Sequence, residues 1–207
     1  MIKTSPILIT GIPRSGSTMI AATINLCGAF GGNMSKRGMY SNDSIREELV
    51  KIYIEMNRVG LDYIPINWKT SVEFIMEQEG YKEGSWMYKD SNLSKMWKVW
   101  NHFYPDAKWI IVRRRTGDII QSCMKTGYMI EHSTEEGWLK MVHEYEERLI
   151  ALIETCPNHM IIWPERMLQK DYKQIYDMCD WLGLTWNPAA LHFIDSLLWG
   201  NKQKKGA

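Results

Sequence analysis

The sequence predicts one three-layer α/β domain, with helices on both faces of a mostly parallel sheet. Short apolar runs of strand length alternate along the chain with longer segments of helical periodicity, which is typical of strand-helix-strand units. The 207 residues contain no internal repeat, linker or low-complexity segment, so we expect a single domain over residues 1–207. In such a domain ligands bind at the carboxyl ends of the strands.

Four apolar runs have the length and composition of buried strands. They are rich in β-branched and aromatic residues, and each is followed by a glycine, a charged residue or a proline; they cover residues 7–10, 86–88, 109–112 and 160–163. Because a helix joins each pair of successive runs, the strands are expected to lie parallel in one sheet.

The predicted helices have apolar residues three or four positions apart, and they cover residues 17–27, 43–58, 68–79, 91–103, 116–125, 133–152 and 172–182. Asp43 with Ser44 is expected to cap the second of these, and Ser133 with Glu136 has capping-box spacing at the start of the longest. The Gly-rich segment 29–41, which contains a Lys-Arg pair at 36 and 37, is expected to be irregular and to border a substrate cleft.

Charge and composition exclude several classes of protein. The 25 Lys and Arg residues nearly balance the 24 Asp and Glu residues, so no overall field attracts nucleic acid or an anionic membrane. We find no secretion signal and no apolar run of about 18 residues, which predicts a cytoplasmic protein without a membrane span. The four cysteines have no metal-ligand spacing and are expected to be reduced core thiols.

Residues 11–18, which read Gly-Ile-Pro-Arg-Ser-Gly-Ser-Thr, have the outline of a phosphate-binding loop between a strand and a helix. Glycines at 11 and 16 allow a tight turn whose backbone N–H groups face one point, and the helix beginning near Ser17 adds its positive dipole end. The nucleoside triphosphatase version of this loop has Lys where Ser17 stands. Arg14 supplies a positive charge inside the loop instead, which disfavours ATP chemistry and indicates a different anion geometry.

Three consecutive arginines, residues 113–115, follow the strongest predicted strand. Adjacent guanidinium groups repel one another, so they indicate an anionic partner unless solvent surrounds them. Ser122 lies eight residues past Arg114 and falls about two turns into the next helix, so these two side chains are placed to hold one phosphate together. A solvated basic loop capped by Asp118 is the alternative interpretation.

Taken together, the two motifs resemble the nucleotide-binding motifs of P-loop sulfotransferases that use PAPS, 3′-phosphoadenosine-5′-phosphosulfate. The matching segments are Pro13-Arg14-Ser15-Gly16-Ser17-Thr18 and Arg114-x-x-x-Asp118-x-x-x-Ser122. Three further segments are similar to that family: Tyr88-Lys89-Asp90, Trp163-Pro164-Glu165-Arg166-Met167-Leu168 and Trp181-Leu182-Gly183-Leu184. The similarity is loose but covers most of the chain.

The resemblance implies a P-loop nucleotide-binding fold and transfer of a sulfuryl group from PAPS to a hydroxyl or amine by in-line displacement, with no metal ion. It implies that residues 14–18 bind the 5′-phosphosulfate and that Arg114 with Ser122 binds the 3′-phosphate. Arg14 and Lys89 would lie at the transferring sulfuryl group. Many members have Lys and an aromatic residue where this sequence has Arg14 and Met19, and their C-terminal Arg-Lys-Gly element has only an echo at 204–206.

The general base is not marked by a motif. Members of the family often have His two residues after the lysine that matches Lys89, and this position is Ser91 here. Asp90 is our first choice for the base, because it follows a strand directly; a helix N-cap is its alternative role. Weaker candidates are the carboxylates at 43, 47 and 48 and the imidazole of His132.

Two other functions remain open from the sequence. A P-loop kinase or nucleotide hydrolase requires a Lys after Gly16 and a magnesium-binding Asp after a second strand, and Asp90 could imitate the latter. A non-catalytic nucleotide-binding protein of the same fold requires no base at all. For the enzyme the expected partner is a small-molecule or carbohydrate acceptor and no nucleic acid, while the sequence leaves the acceptor's identity and the oligomeric state open.

Overall fold

A computed structural model of the chain describes residues 2–34, 40–60, 63–127 and 129–194. Its strands are β1 (Ile7–Gly11), β2 (Met87–Lys89), β3 (Lys108–Val112) and β4 (His159–Ile162). Its helices are α1 (Ser17–Leu26), α2 (Asp43–Val59), α3 (Trp68–Gln78), α4 (Leu93–Phe103), α5 (Thr116–Met124), α6 (Glu135–Thr155), α7 (Glu165–Leu168) and α8 (Lys173–Leu182). A 3-10 helix spans Pro188–Phe193.

The four strands form one sheet in the order β2-β1-β3-β4, and every neighbouring pair is parallel. Leu8 of β1 lies opposite Tyr88 of β2 on one side and Trp109 of β3 on the other. The predicted α/β fold with a parallel central sheet is therefore confirmed.

Alternate strand residues pack into two separate cores, because successive side chains of a strand point to opposite faces. Leu8 and Ile111 lie in the core that α2, α3, α4 and α6 cover. Ile7 and Ile110 lie in the core that α1 and α8 cover. This division into helix, sheet and helix layers is the three-layer arrangement that the sequence predicts.

Two predicted helix caps are wrong by one residue. Asn42, not Asp43 or Ser44, caps α2, and its side chain accepts a hydrogen bond of 2.9 Å from the backbone N–H of Ile45. Thr134, not Ser133, caps α6 in the same way. In both cases the cap is the residue whose backbone is extended, which an N-cap requires and which the identity of neighbouring polar residues does not reveal.

The described part of segment 29–41 is more ordered than we expected from its composition. Phe30 forms a parallel bridge with Trp86 at the outer side of β2. The carboxylate of Glu79 then holds the segment, accepting hydrogen bonds from the backbone N–H of Asn33 at 2.7 Å and from the side chain of Asn42. The predicted Lys-Arg pair at 36 and 37 lies outside the described residues, as does the basic tail at 204–206.

All four cysteines lie in the described part of the chain and are buried, and none forms a disulfide. Cys27 after α1 and Cys179 in α8 approach one another most closely, with 3.8 Å between their sulfur atoms. Burial raises the pKa of Cys179 to about 12, so its thiol stays protonated at neutral pH. None of the described helices has the length and apolar character needed to cross a bilayer.

Candidate active site

The carboxyl ends of β1 and β3 lie side by side at the centre of the sheet. The chain leaves β1 to form β2 on one side and later returns to form β3 on the other side. Such a reversal opens a crevice between the loops that follow the two strands. These loops are residues 12–16 and 113–115, which are the two motifs that the sequence singles out.

The loop after β1 has the backbone conformation of an anion cradle. Arg14 and Gly16 have φ angles of 71° and 96°, in the left-handed region, and the N–H of Ser15 closes a turn on the carbonyl of Ile12 at 3.0 Å. Left-handed residues just before a helix turn successive N–H groups towards a common point, and the first N–H groups of α1 have no partners inside the helix.

The hydroxyl of Ser15 is buried next to Gly11 at the start of the loop. Its side chain is fully buried, and its Oγ has no hydrogen-bond partner among the described residues. A buried hydroxyl without a partner costs about 1–3 kcal/mol, so native structures rarely leave one unexplained.

Gly11 fixes the loop against the end of β3. A Cβ atom at this position would lie 2.4 Å from the carbonyl oxygen of Val112 and 2.7 Å from Oγ of Ser15. Any side chain would therefore push the loop away from β3, and the glycine is required for this close approach of the two strand ends.

The three consecutive arginines have three different environments. Arg113 pairs with Glu146 of α6 at 2.6 Å. Arg115 is exposed, and its backbone N–H donates to Glu165 at 3.2 Å. Arg114 alone of the three turns into the crevice. The repulsion expected between the three guanidinium groups is thus reduced in two ways. Their side chains have separate environments, and α6 supplies a carboxylate for Arg113 that the local sequence does not contain.

Arg114 and Ser122 contact the loop after β1 directly. Nη1 of Arg114 donates to the carbonyl oxygen of Arg14 at 3.0 Å, and Nε of Arg14 donates to Oγ of Ser122 at 3.0 Å. Burial lowers the pKa of Arg114, and the nearby Arg14 charge acts in the same direction. Two guanidinium groups therefore lie together in one crevice.

Lys89, the last residue of β2, is buried beside the same loop. Its Nζ lies 3.3 Å from Oγ1 of Thr18, to which it donates a hydrogen bond. Burial lowers the pKa of Lys89 to about 8, and the neighbouring Asp90 carboxylate opposes this shift. The ammonium group is therefore mostly charged at neutral pH and loses its proton at moderately alkaline pH.

Asp90 is buried at the end of β2, with only 6% of its surface exposed. Its Oδ1 accepts a hydrogen bond from the N–H of Asn92 at 2.8 Å, so it shapes the turn into α4. Its Oδ2 accepts from the hydroxyl of Tyr88 at 3.3 Å and lies 3.7 Å from Nε of Arg46. A carboxylate has about four lone-pair sites, so these contacts leave one for a further donor. Asp90 is therefore not the N-cap of α4, because that position is Asn92. Its carboxylate instead holds the turn that leads into the helix.

The weaker candidates for the base lie elsewhere or have other partners. Asp43 and Glu47 are exposed on α2, and Glu48 pairs with Lys51 of the same helix. His132 packs edge-on against Trp138, with 4.9 Å between ring centroids. In the part of the chain that the structure describes, no three His, Cys, Asp or Glu side chains are arranged to hold a metal ion.

Two residues beside Asp90 were missed in the sequence. Arg46 on α2 lies half exposed next to its carboxylate, and the buried Tyr145 of α6 is hydrogen-bonded to Ser91. Burial raises the pKa of Tyr145 to about 12. Both residues were hidden inside ordinary amphipathic helices, where an isolated Arg or Tyr gives no signal of its own.

Three solved structures resemble this chain over most of its length. The sulfotransferase domain from the curacin biosynthetic pathway is 14% identical with a TM-score of 0.62, over 94% of this chain and 79% of that one. The sulfotransferase domain of the Synechococcus PCC 7002 olefin synthase is 14% identical with a TM-score of 0.63, over 100% and 91%. The sulfotransferase STF1 of Mycobacterium tuberculosis is 14% identical with a TM-score of 0.53, over 95% and 72%.

No protein-family model matches the sequence, and no curated protein matches it significantly. The structural likeness at 14% identity shows that the chain has the fold of sulfotransferase domains. A shared fold does not by itself establish a shared function, so function must be argued from the site itself.

Proposed function

We propose that this protein is a sulfotransferase that moves a sulfuryl group from PAPS to a hydroxyl or amine acceptor. The observation that carries the proposal is the direct contact of the two motifs, with Arg14 on Ser122 and Arg114 on the Arg14 carbonyl. PAPS carries phosphate groups at two ends of one adenosine, and two adjacent cationic motifs fit such a ligand. The similarity of the fold to that of sulfotransferase domains also supports the proposal.

The residues of the loop fit the 5′ end of this cosubstrate. We assign residues 14–18 to the 5′-phosphosulfate, because the loop offers backbone N–H groups, the start of α1 and the unpartnered Ser15 hydroxyl. Arg114 and Ser122 are assigned to the 3′-phosphate. In this assignment the Arg14 side chain gives up its hydrogen bond to Ser122 when the cosubstrate binds and turns towards the 5′-phosphosulfate. The Ser122 hydroxyl is then available to the 3′-phosphate.

Bound PAPS supplies an activated sulfuryl group whose leaving group is a phosphate. Arg14 and Lys89 stabilise the negative charge that grows on the oxygen between phosphorus and sulfur as the bond from this oxygen to sulfur breaks, since both cationic side chains lie at the loop. Asp90 accepts the proton of the acceptor hydroxyl through its remaining lone pair. Its contacts with Tyr88 and Arg46 hold the carboxylate in position while this proton is transferred.

The contact between Lys89 and Thr18 argues against the kinase or hydrolase alternative. Thr18 occupies the position whose hydroxyl binds magnesium in a nucleoside triphosphatase loop. In this protein a buried ammonium group lies 3.3 Å from that hydroxyl, and a positive charge there opposes a divalent cation. Ser17 also stands where the triphosphatase loop has its lysine.

Thermal unfolding with competing nucleotides tests the proposal. A ligand that binds only the folded state at about 100 times its Kd adds roughly 2.7 kcal/mol of stability, which for a chain of this size raises Tm by about 5 °C or more. We expect this shift with 3′-phosphoadenosine-5′-phosphate (PAP) in the absence of magnesium, and little shift with magnesium ATP. Equal or greater protection by magnesium ATP would favour the kinase alternative.

Turnover separates the enzyme from a non-catalytic binding protein of the same fold. We expect label from PAPS to reach at least one acceptor in a screen of alcohols, phenols, amines and carbohydrates. If PAP stabilises the protein but no acceptor in the screen is sulfated, the protein is better described as a nucleotide-binding protein.

A further inference from the structure

A half-buried lysine on α4, five positions after Asp90 in the chain, has no role in the chemistry proposed above. Lys95 is the third residue of α4 and follows Ser91, which lies before the helix, by four positions. Its Nζ lies 5.0 Å from the ring centroid of Tyr53 on α2 and 5.7 Å from that of Tyr145 on α6. Three helices therefore converge on this one ammonium group.

The other cations around it have carboxylate partners. Arg46 lies 3.7 Å from Asp90, and Arg148 of α6 lies 3.5 Å from Glu144. For Lys95, in contrast, no ion pair with a carboxylate within 4.0 Å is formed by the residues that the structure describes, and its contacts there are the two tyrosine rings. Among the described residues, Lys95 thus lacks the carboxylate partner that Arg46 and Arg148 have.

Tyrosine rings stabilise the charge of an ammonium group but do not supply acceptors for its hydrogen bonds. The ring faces attract the charge, whereas each of the three N–H donors of a lysine requires an oxygen or nitrogen acceptor for a strong hydrogen bond. Half-burial of Lys95 reduces the water that could supply these acceptors. An anionic ligand group would complete the site.

The position of Lys95 relates this site to the acceptor. The side chain of Tyr145, whose ring contacts Lys95, is hydrogen-bonded to Ser91, the residue after Asp90. Lys95 and Ser91 therefore both contact the side chain of Tyr145. A molecule about as long as a tyrosine side chain can then extend from the turn at Asp90 to the Lys95 ammonium group.

We propose that the acceptor is a hydroxylated carboxylate, whose carboxylate binds Lys95 while its hydroxyl faces Asp90. A carboxylate is chosen over a phosphate because one lysine, not a pair of cations, supplies the charge between Tyr53 and Tyr145. The inference rests on the proposed function, since it specifies the acceptor of that reaction. Its test measures the binding of acceptor analogues, which is a separate measurement from the binding of PAP.

Equilibrium binding tests the site without turnover. Isothermal titration of the full chain, saturated with PAP, compares 3-(4-hydroxyphenyl)propionate with its amide and 6-hydroxyhexanoate with its amide. A hydrogen bond to a charged group contributes about 1.5–3 kcal/mol, so we expect at least one of the acids to bind about tenfold or more tightly than its amide. In Lys95→Met the neutral side chain still packs on the tyrosine rings, and the acid and amide should bind within about twofold of one another.

Two further variants keep the result interpretable. Lys95→Arg retains the charge and should retain most of the preference for the acid. Lys140→Met removes an exposed lysine on a different face of α6 from Tyr145 and should leave the preference unchanged. An unchanged PAP affinity in all three variants shows that each has folded. With PAPS, the kcat/KM ratio of acid to amide should follow the binding ratio in each variant.

The outcomes separate the two proposals. If PAP binds but the acids bind no better than their amides, or do not bind at millimolar concentration, the carboxylate site is wrong and the sulfotransferase proposal stands. A preference for the acid that survives in Lys95→Met also overturns the role of Lys95. If PAP itself does not bind, both proposals are overturned.

Discussion

The proposed nucleotide side of this site, residues 11–18 with residues 113–122, is built differently from the proposed acceptor side. The nucleotide side consists of two continuous runs of sequence, each placed directly after a strand of the sheet. The acceptor side consists of single residues from separate elements: Arg46 on α2, Asp90 after β2, Lys95 on α4 and Tyr145 on α6. The nucleotide side is therefore encoded by short stretches of sequence, whereas the acceptor side is formed by the packing of helices.

This difference follows from what each ligand requires. A phosphate is held largely by backbone N–H groups and a helix N-terminus, which need a particular short turn and therefore a particular short motif. An acceptor is recognised by side chains at chosen points of a concave surface, and any helix that faces the cleft can supply them. Variants on the two sides should therefore affect different measured quantities.

The largest expected effect belongs to the acceptor side. Asp90→Asn keeps an oxygen for the N–H of Asn92 but removes the proton acceptor, so kcat should fall about 10²-fold to 10⁴-fold while PAP affinity changes little. Steady-state kinetics and calorimetry measure the two quantities. Asp43→Asn, at an exposed carboxylate of α2, is the matched control and should retain activity. Wild-type turnover in Asp90→Asn would move the base to another residue.

The next largest effect belongs to the nucleotide side. Arg114→Ala removes the guanidinium that bridges to the carbonyl of Arg14, and we expect the Kd for PAP to rise about 100-fold, the equivalent of roughly 2.7 kcal/mol. Arg14→Ala should weaken PAP binding by a similar factor. Arg115→Ala is the control, because this neighbouring side chain is exposed, and it should change the Kd less than about threefold. Similar losses in Arg114→Ala and Arg115→Ala would mean that only the overall charge of the segment matters.

A pH profile examines Lys89, which lies where the two sides meet. The charged form is present below a pKa of about 8 and is lost as pH rises through that value, so kcat/KM should fall up to tenfold per pH unit above it. In Lys89→Met there is no such group to titrate, and this alkaline decline should disappear from a profile that is lower throughout. The same decline in the variant would assign it to a different group.

The smallest effect is expected far from both sides. Gly183 ends α8 with a φ of 76°, and the bond from Lys108 at the start of β3 to the carbonyl of Trp181 places this helix end at the opposite edge of the sheet. Gly183→Ala should cost about 1 kcal/mol and lower Tm by a few degrees, because a side chain disfavours the left-handed region. PAP affinity should not change. A loss of affinity would show that the nucleotide side is coupled to the amino edge of the sheet.

The sequence predicted the parts of the molecule that depend on local pattern. The strands, the two motifs and their common position at the carboxyl edge all follow from short runs of residues and from the rule that parallel strands end together. Helix starts were less accurate, because Asn42 and Asp43 are both good capping residues and only the backbone angles decide between them.

The remaining features depend on contacts between residues far apart in the chain. Arg113 has a carboxylate partner because α6 brings Glu146 to it from 33 positions away. Lys95 and Tyr145 meet because α4 and α6 pack together, although each helix by itself has the pattern of any amphipathic helix. No local rule identifies such pairs, so the sequence indicated Asp90 on the acceptor side but not the residues from α2, α4 and α6 around it.

The bond from Arg114 to the carbonyl of Arg14 has a consequence for the order of folding. A non-glycine residue in the left-handed region is disfavoured by about 1–2 kcal/mol, and such a conformation persists only when its surroundings enforce it. One contact that holds the loop in this conformation comes from 100 positions later in the chain. During synthesis we therefore expect the cradle to reach its final shape only after β3 has emerged and docked beside β1, and we expect an N-terminal fragment without β3 to bind anions weakly.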